Sequence, residues 1–589
     1  MLHDTDLVSI QEVRAKVEKA YAAFQEYRRY SQEQIDAIVE AMGVAGRANA
    51  ARLAEMAVEE TSYGNVKDKI AKNLLNADLL VRSIRGMKTV GVLREIPEKK
   101  LTEIGVPVGV VAAILPTTNP TSSAIYKAVI ALKAGNPIVL SPHPRAKNCT
   151  CATADILYQA AREAGAPEDI IQCINNATIE GTDALMRHPR TSVILATGGS
   201  GIVKAAYSSG KPAFGVGPGN VPVLLDQSAD IASSVAKVVE GKSFDYGTVC
   251  SSEQTLVALS SVRSEVWEAL KSAKAYLCTE EQGQALARLL IAPNWRINPN
   301  CVGQSPQKIA QMAGFNVPGD ASILAVEIKG VGKQHPLSME KLSPVLSVLF
   351  SDSWETQVRD CQAILKFGGL GHTAVIYSQD DARIREYGIR VPAFRVLVNT
   401  PSPQGSTGIT TGVQPSMTLG CGAMAGNATS DNVGPQHLIN TKRIAYVIRT
   451  PEEAFGQPPA GDMRQLIGSA VERFLNQRGF HGKAPPPPPK PAATADVVDR
   501  FLAQKAIRPG ASPGSAPTCG CALPSPPPET KPVETKPAPP IQIVDFVCEA
   551  DVRLAVRQAQ KIYIGPRTIV TPAAREVANQ HDVLVLAQR

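Results

Sequence analysis

The stretch VPVGVVAAILPTTNPTSSAIYKAVIALKAGNPIVLSPHP, residues 106–144, carries the pattern that decides the fold. Two short apolar runs, VPVGVVAAIL and NPIVLS, have the length and β-branched content of buried strands. Between them, SSAIYKAVIALKA has helical spacing and is followed by Gly135, a residue type that commonly ends helices. The stretch therefore predicts a strand, a helix and a second strand, which is the unit of parallel sheets.

The same alternation continues along the chain. Helices are predicted at ATADILYQAAREAG, GTDALMRHP and SGIVKAAYSSG, and strands at IIQCIN and TSVILATGG. Residues before 90 have the spacing of amphipathic helices, a second α/β stretch runs from 226 to 425, and TKRIAYVIRT (441–450) is a further strand. We predict an α/β fold with parallel sheets covered by helices on both faces.

Composition narrows the function classes. The chain has 589 residues, 44% of them hydrophobic and 20% charged, with a formal charge of +7, so several domains of an ordinary globular protein are expected. The basic residues form no stripe, which argues against nucleic-acid binding, and the most apolar run is too short to cross a bilayer. With no leader pattern at the start, we expect a cytoplasmic protein without membrane contact.

The eleven cysteines are dispersed, which fits reduced thiols better than a disulfide framework. The close pairs Cys149/Cys151 and Cys519/Cys521 have no partner pair at zinc-ligand spacing, so we predict no metal site. Cys250, within FDYGTVCSSEQT (244–255), could by itself be either a nucleophile or a buried small hydrophobe.

Other candidate residues lie where strands run into turns. Asn119 follows the first strand, so its amide could donate to an oxyanion, although Asn-Pro is also an ordinary turn pair. The glycines of TGGSG (197–201) precede a helix, where backbone N–H groups can meet a phosphate, but such glycines also serve packing alone. Taken singly, these signals leave both interpretations open.

In combination the motifs resemble the aldehyde dehydrogenase superfamily, specifically its CoA-acylating branch. The resemblance rests on ILPTTNPTSSAIYKAVIALKAGNPIVLSPHPRAKNCT, ATGGSGIVKAAYSSGKPAFGVGPGNVPVLLD, FDYGTVCSSEQT, EKLSPVLSV, GGLGHTAVIYS and the region of NTPSPQGSTG, and covers residues 1–455. It implies that Cys250 attacks the aldehyde carbon and that Asn119 and the backbone N–H of Cys250 stabilise the oxyanion. His372 would take a proton from Cys250 or from the CoA thiol, while Glu253 is expected to be structural.

The resemblance also implies a nicotinamide cofactor, NAD with NADP left open, and coenzyme A as co-substrate. Glu340 would hold the nicotinamide ribose. Hydrolytic relatives have a glutamate where this chain has Gly215, and a lysine that contacts the adenosine ribose where this chain has Ser141. Without that glutamate the acyl group is expected to leave on CoA rather than water. The expected cofactor-binding residues are Thr118, Ser141, His143, Pro144, Thr197, Gly198, Gly199, Ser200, Gly215, Val216, Gly217 and Glu340.

The end of the chain differs in composition. Seventeen of the 45 prolines lie between Ala484 and Pro540, which predicts an extended linker interrupted by an amphipathic helix at 494–507. The expected domains are, in order, N-terminal helices and cofactor domain 1–225 with a bridging strand segment at 88–105, catalytic domain 226–425, a return to the cofactor and oligomerisation region 426–470, linker 484–540, and a small α/β module 541–589 of unassigned role.

The helix between proline-rich spacers is similar to encapsulation peptides of bacterial microcompartments. This resemblance implies a location in a microcompartment lumen and contact of 494–507 with shell proteins or other cargo. It also implies propionaldehyde as substrate, with acetaldehyde as the alternative. Separately, the segment 88–105 and the strand 441–450 match the bridging strands of the dehydrogenase superfamily, which implies a homodimer or homotetramer. A hydrolytic dehydrogenase, or a scaffold that uses an inactive dehydrogenase fold, remains the competing hypothesis.

Overall fold

The structure is a computed structural model that describes residues 4–456, 460–478, 543–558, 560–581 and 583–586. The chain divides into two compact units, Met1–Ile467 and Gly468–Arg589. The predicted linker 484–540, its helix 494–507 and the pair Cys519/Cys521 lie outside the described residues.

The N-terminal segment is helical, as its apolar spacing predicts. A capping box between Ser31 and Gln34 starts its second helix, and a π-helical turn, Leu75–Leu80, joins the last two. The elements are α1 Thr5–Tyr27, α2 Gln32–Ala48, α3 Ala50–Thr61, α4 Val66–Leu74 and α5 Val81–Ile84.

The first sheet of the larger unit is parallel and has five strands in the order β5-β4-β3-β6-β7. Every residue of its central strand β3 and of helix α6 is buried, which explains the continuous apolar runs in the sequence. The elements are β3 Val110–Ile114, α6 Pro120–Lys133, β4 Ile138–Ser141, α7 Lys147–Glu163, β5 Ile171–Cys173, α8 Ile179–Arg187, β6 Thr191–Thr197, α9 Ser200–Tyr207 and β7 Ala213–Val216.

The second sheet is also parallel, with seven strands in the order β10-β11-β12-β9-β8-β13-β14. Strand β8 belongs to it, so the chain passes from one sheet to the other at residues 217–220. The elements are β8 Val221–Leu225, α10 Ile231–Ser243, β9 Glu253–Leu259, α11 Arg263–Ser272, β10 Ala275–Leu277, α12 Glu280–Leu290, α13 Pro306–Met312, β11 Ile323–Glu327, β12 Val345–Ser351, α14 Trp354–Gly368, β13 Gly371–Tyr377, α15 Asp381–Arg390, β14 Ala393–Val398 and α16 Ser402–Ser406.

A third, antiparallel sheet has the order β1-β2-β15. Its strands are β1 Gly91–Ile96, β2 Leu101–Pro107 and β15 Ile439–Ala445, so residues more than 300 positions apart in the chain are paired. Helices α17 Pro451–Phe455 and α18 Ala460–Gln477 follow. With its helix-covered parallel sheets, the structure confirms the predicted α/β class.

The smaller unit contains a parallel sheet of order β16-β17-β18. Its elements are β16 Ile543–Val547, α19 Glu549–Arg557, β17 Ile562–Val570, α20 Pro572–His581 and β18 Leu584–Leu586. Thr571 caps α20 through its hydroxyl, which accepts from the Ala574 N–H at 3.3 Å.

The expectation of reduced thiols is wrong for one pair. Cys151 in α7 and Cys173 in β5 form a disulfide with their Cα atoms 5.5 Å apart, because α7 packs directly on β5. Cys250 is a free thiol. Within the described residues no cluster of three metal-ligating side chains occurs, and no helix there has the length and apolarity needed to span a membrane.

The end of α6 provides a test of the packing. Gly135 and Gly165 end α6 and α7 with the same pair of backbone hydrogen bonds and left-handed φ values of +76° and +94°. A Cβ on Gly135 would lie 2.6 Å from Pro107 Cγ, whereas a Cβ on Gly165 would meet no atom within 4 Å.

Gly165→Ala is expected to lower the free energy of unfolding by about 1 kcal/mol, and Gly135→Ala by about 2–4 kcal/mol. Thermal unfolding midpoints of the two variants measure the difference, and equal midpoints would contradict this packing.

Candidate active site

A cavity of about 750 Å³ opens at the carboxyl ends of β3 and β6 and extends to the loop before β9. The strand order places β3 and β6 side by side with connections leaving in opposite directions, which is where open α/β sheets bind ligands. Among the residues predicted from the sequence, those that line the cavity are Thr118, Asn119, Ser141, His143, Pro144, Thr197, Gly198, Gly199, Val216, Gly217, Cys250 and Glu340.

Three predicted residues have other positions. Ser200 is the first residue of α9, and Gly215 lies in β7; neither is part of the cavity lining in the described chain. His372 is the second residue of β13 and contacts Cys250 directly. Glu253 begins strand β9, and its carboxylate accepts a hydrogen bond from the Ser402 N–H at 2.6 Å.

The central contact joins a thiol and an imidazole. The Sγ of Cys250 lies 3.2 Å from Nε2 of His372, and Nδ1 of His372 lies 2.9 Å from Oγ1 of Thr373. If Nδ1 carries the proton and donates it to Thr373, Nε2 is left as an acceptor for the thiol proton. The arrangement therefore matches a nucleophile beside its base.

Burial keeps both partners neutral at rest. Burial, reinforced by the Glu340 carboxylate, raises the pKa of Cys250 to about 12. Burial, together with the Arg395 guanidinium, lowers the pKa of His372 to about 3. Arg395 also donates to the backbone carbonyl of His372 at 3.0 Å, which fixes the strand that carries the imidazole. The resting site thus holds a thiol and a neutral imidazole.

The amide of Asn119 faces the same cavity. Asn119 is the N-cap residue of α6, with Pro120 at the first helical position, so the turn expected for an Asn-Pro pair is present. Its side chain does not cap the helix. Oδ1 accepts a hydrogen bond from Lys72 Nζ at 2.5 Å, and Nδ2 donates to Thr118 Oγ1 at 3.0 Å. One amide N–H therefore stays available to a ligand in the cavity.

Behind Asn119 lies a buried charge cluster that the sequence analysis did not find. Lys69 and Lys72 of α4 both donate to the carboxylate of Asp245, which is completely buried. Burial lowers the pKa of Lys72 to about 8, and burial alone would raise the pKa of Asp245, but Lys72 and Lys69 hold that pKa below its usual range. A lysine in an amphipathic helix looks the same in sequence whether it is solvated or buried, so only the tertiary structure identifies this cluster.

Glu340 also lines the cavity. One carboxylate oxygen accepts a hydrogen bond from the Gly219 N–H at 2.9 Å, and burial raises the pKa of Glu340 to about 8. This carboxylate lies in the same cavity as Cys250, where the sequence resemblance places a ribose contact. With a pKa of about 8 the group is largely protonated near neutral pH, so its second oxygen can donate to a ligand hydroxyl and, once ionised, accept from one.

The cavity also fits a dinucleotide. The hydroxyl of Thr197 is buried and has no hydrogen-bond partner within the described residues, so it is free for a ligand. Gly199 is the N-cap of α9 without a side-chain cap, and a Cβ at this position would meet open space. The uncapped N–H groups of α9 and the absence of side chains at the turn suit a phosphate.

Fold and site together define a class: an α/β oxidoreductase with a half-buried cysteine in a cavity at the carboxyl ends of its parallel strands. The aldehyde dehydrogenase family profile matches residues 2–285. Succinate-semialdehyde dehydrogenase (acetylating) of Clostridium kluyveri is 38% identical over 439 residues, which are 74% of this chain and 96% of that protein. The chain belongs to the aldehyde dehydrogenase family.

Other relatives extend the comparison. The bifunctional aldehyde-alcohol dehydrogenase AdhE of Escherichia coli K12 is 43% identical over 444 residues, 74% of this chain and 50% of that protein. The chain thus spans about half the length of this relative. A crystal structure of an acetylating aldehyde dehydrogenase from Geobacillus thermoglucosidasius is 49% identical with a TM-score of 0.75, covering 76% of this chain and 99% of that one.

Two solved structures are more distant. A propionaldehyde dehydrogenase from the fucose utilisation bacterial microcompartment of Clostridium phytofermentans is 28% identical with a TM-score of 0.67, covering 74% of this chain and 97% of that one. Rhodopseudomonas palustris propionaldehyde dehydrogenase, solved with bound CoA and an acylated cysteine, is 27% identical with a TM-score of 0.66, covering 74% of this chain and 97% of that one.

The neutral thiol can be tested chemically. Because burial raises the pKa of Cys250 to about 12, the thiolate fraction should rise about tenfold per pH unit from pH 6 to 9. Alkylation of Cys250 by iodoacetamide, followed by peptide mass spectrometry, is therefore expected to accelerate throughout this range. A plateau at neutral pH would instead show a thiolate paired with protonated His372. The Cys250→Ser variant controls for labelling of other thiols.

Proposed function

We propose that this protein is a CoA-acylating aldehyde dehydrogenase, which converts a short-chain aldehyde, CoA and an oxidised nicotinamide dinucleotide to acyl-CoA and the reduced dinucleotide. The observation that carries the proposal is the 3.2 Å contact between Cys250 Sγ and His372 Nε2, beside the cavity that Cys250 and Asn119 line. The acetylating and CoA-bound relatives support it.

The first step is attack of Cys250 on the aldehyde. As the S–C bond forms, the thiol proton moves to His372 Nε2 and the carbonyl oxygen becomes an alkoxide. Because the thiol is neutral at rest, proton transfer accompanies the attack. The amide N–H of Asn119 and the backbone N–H of Cys250 are the proposed donors to the alkoxide.

Collapse of the alkoxide produces the acyl-enzyme. When bound, the oxidised nicotinamide supplies the hydride acceptor for this chemistry. Thr197, the N-terminus of α9 and Glu340 are the groups that would hold the dinucleotide, with NAD against NADP left to experiment. As the carbonyl re-forms, Asn119 releases the oxygen and a thioester remains on Cys250.

The acyl group is then proposed to pass to CoA. His372 first releases to solvent the proton that it took from Cys250. The CoA thiol then attacks the thioester carbon and gives its proton to His372. The bond between the acyl carbon and Cys250 breaks, and the Cys250 thiolate takes this proton back from His372. Gly215 supports transfer to CoA rather than to water. A Cβ there would lie 2.8 Å from Val203 Cγ1 and 2.9 Å from Tyr207 Cε2, so a glutamate side chain has no room at this position.

The decisive experiment is an assay with C2 to C4 aldehydes, with and without CoA, using NAD and NADP in turn. NADH or NADPH formation is expected to require CoA, to yield acyl-CoA, to favour propionaldehyde and to disappear in Cys250→Ala. Free acid formed at a comparable rate without CoA would contradict the proposal and favour a hydrolytic dehydrogenase. No turnover with any aldehyde would favour the scaffold hypothesis.

The antiparallel sheet is proposed to join subunits into a dimer or tetramer. Strands β1 and β15 are its edges, and the residues after β15 expose large apolar side chains, with Tyr446 64% and Val447 82% exposed. Unpaired strand edges beside exposed apolar side chains favour pairing with another chain.

The proline-rich tail is proposed to recruit the enzyme to a microcompartment through residues 494–507. Support comes from the sequence pattern and from the microcompartment origin of one solved neighbour. The alternative is a linker segment without a partner.

Deletion of residues 484–589 tests the recruitment. The variant is expected to keep kcat and KM within about twofold, because the site residues lie before residue 456, and to lose co-purification with shell proteins. A control deletion of 541–589 alone retains 494–507 and should retain association. Unchanged association of the longer deletion would contradict the proposal.

A further inference from the structure

The cluster of Lys69, Lys72 and Asp245 connects helix α4, the start of helix α6 and the loop before Cys250 at the candidate site. Both lysines lie one turn apart on α4, and Asp245 lies in the loop that leads to Cys250. All three side chains are at most 3% exposed. Burying a charge is unfavourable unless the charge is paired. The two lysines and the aspartate therefore depend on one another in the folded protein, unlike an exposed surface ion pair.

The two lysines have different contacts. Lys72 Nζ bonds Asn119 Oδ1 at 2.5 Å, the Asp245 carboxylate, and Thr248 Oγ1 at 3.4 Å. Lys69 Nζ bonds the same carboxylate at 3.1 Å but directs its other bond, of 3.0 Å, to the backbone carbonyl of Thr118. Only Lys72 therefore acts on the Asn119 amide within the described contacts.

The contact with Lys72 decides which end of the amide faces the ligand. An ammonium group has donors and no acceptor, so Oδ1 of Asn119 must face it and Nδ2 must face away. If the amide were rotated by 180°, its NH2 group would oppose the ammonium and its oxygen would face the developing alkoxide. The ammonium also polarises the amide, which strengthens the remaining N–H as a donor.

We propose that Lys72, held in place by Asp245, is a positioning residue for the reaction: it orients and polarises the Asn119 amide so that Nδ2 donates to the oxyanion. This inference rests on the proposed function, because it assigns Lys72 an effect through the oxyanion donor. Within the described residues Lys72 is not part of the cavity lining, so its effect is exerted through Asn119.

A double-mutant cycle separates positioning from simple structural support. The variants are Lys72→Met, Asn119→Ala and the combination, measured by the pre-steady-state rate of NADH formation and by steady-state kcat and KM. Lys72→Met is expected to lower the acylation rate by about 10- to 100-fold with KM for the aldehyde nearly unchanged. In the Asn119→Ala background the same change should cost less than about threefold.

Lys69→Met is the matched control. It removes a lysine of equal burial from the same carboxylate, but one without a bond to Asn119. Its thermal midpoint should fall about as much as that of Lys72→Met, while its effect on the acylation rate should be at least tenfold smaller and equal in both backgrounds. If Lys72→Met does not fold, Lys72→Gln takes its place; this side chain keeps a neutral donor, and the same coupling with Asn119→Ala is required.

The outcomes distinguish the two proposals. If Lys72→Met lowers the acylation rate by the same factor with and without the Asn119 side chain, the positioning role is overturned and the proposed function stays intact. An equal loss for Lys69→Met would also overturn it. If Asn119→Ala alone left the acylation rate unchanged, the oxyanion role would be wrong, and with it the mechanism under the proposed function.

Discussion

The carboxylate of Asp245 is the interaction on which the candidate site depends. It is completely buried and accepts hydrogen bonds from Lys69, Lys72, the Thr248 hydroxyl and the Asn65 backbone. These partners belong to α4, to the turn before it and to the loop that carries Cys250. An unpaired carboxylate at this depth would be strongly unfavourable, so the charge forces the three elements into one arrangement.

This arrangement has a conformational cost that the cluster offsets. Asp245 and Tyr246 have left-handed φ values of +47° and +52°, which are unfavourable for residues with side chains. Gly64 allows the close approach that the turn requires, because a Cβ there would lie 1.9 Å from Asp245 Oδ1. The strained turn follows the end of α10 at Ser243 and leads to Cys250, which lines the cavity just before β9 begins. The N-terminal helices thereby help to position Cys250, which lies just before β9 of the second sheet.

The sequence predicted the elements better than their connections. Residues 106–144 repeat buried strand and helix patterns so clearly that β3, α6 and β4 follow from periodicity and length alone. The sequence pattern around Asn119 fits both a turn residue and an amide donor, and in the structure it is a turn residue whose side chain also lines the cavity. Periodicity could not show that Lys72 is buried, because its partner Asp245 lies 173 positions away. The Cys151–Cys173 pairing depends in the same way on packing of α7 against β5 rather than on cysteine spacing.

In the proposed mechanism, burial explains why the Cys250 thiol, the His372 imidazole and the Asn119 amide act together. Desolvation disfavours both the thiolate of Cys250 and the imidazolium of His372, so forming either charge before substrate enters is energetically unfavourable. When the aldehyde binds, attack creates a positive imidazolium and a negative alkoxide in one step. The same low dielectric that suppresses isolated charges strengthens the hydrogen bond from Asn119 to that alkoxide. The buried ammonium of Lys72, which bonds Asn119, stabilises the alkoxide further. The cost of desolvating this ammonium is already offset in the folded chain by its ion pair with Asp245. The polar groups of the site are thus arranged for charge that appears only during the reaction.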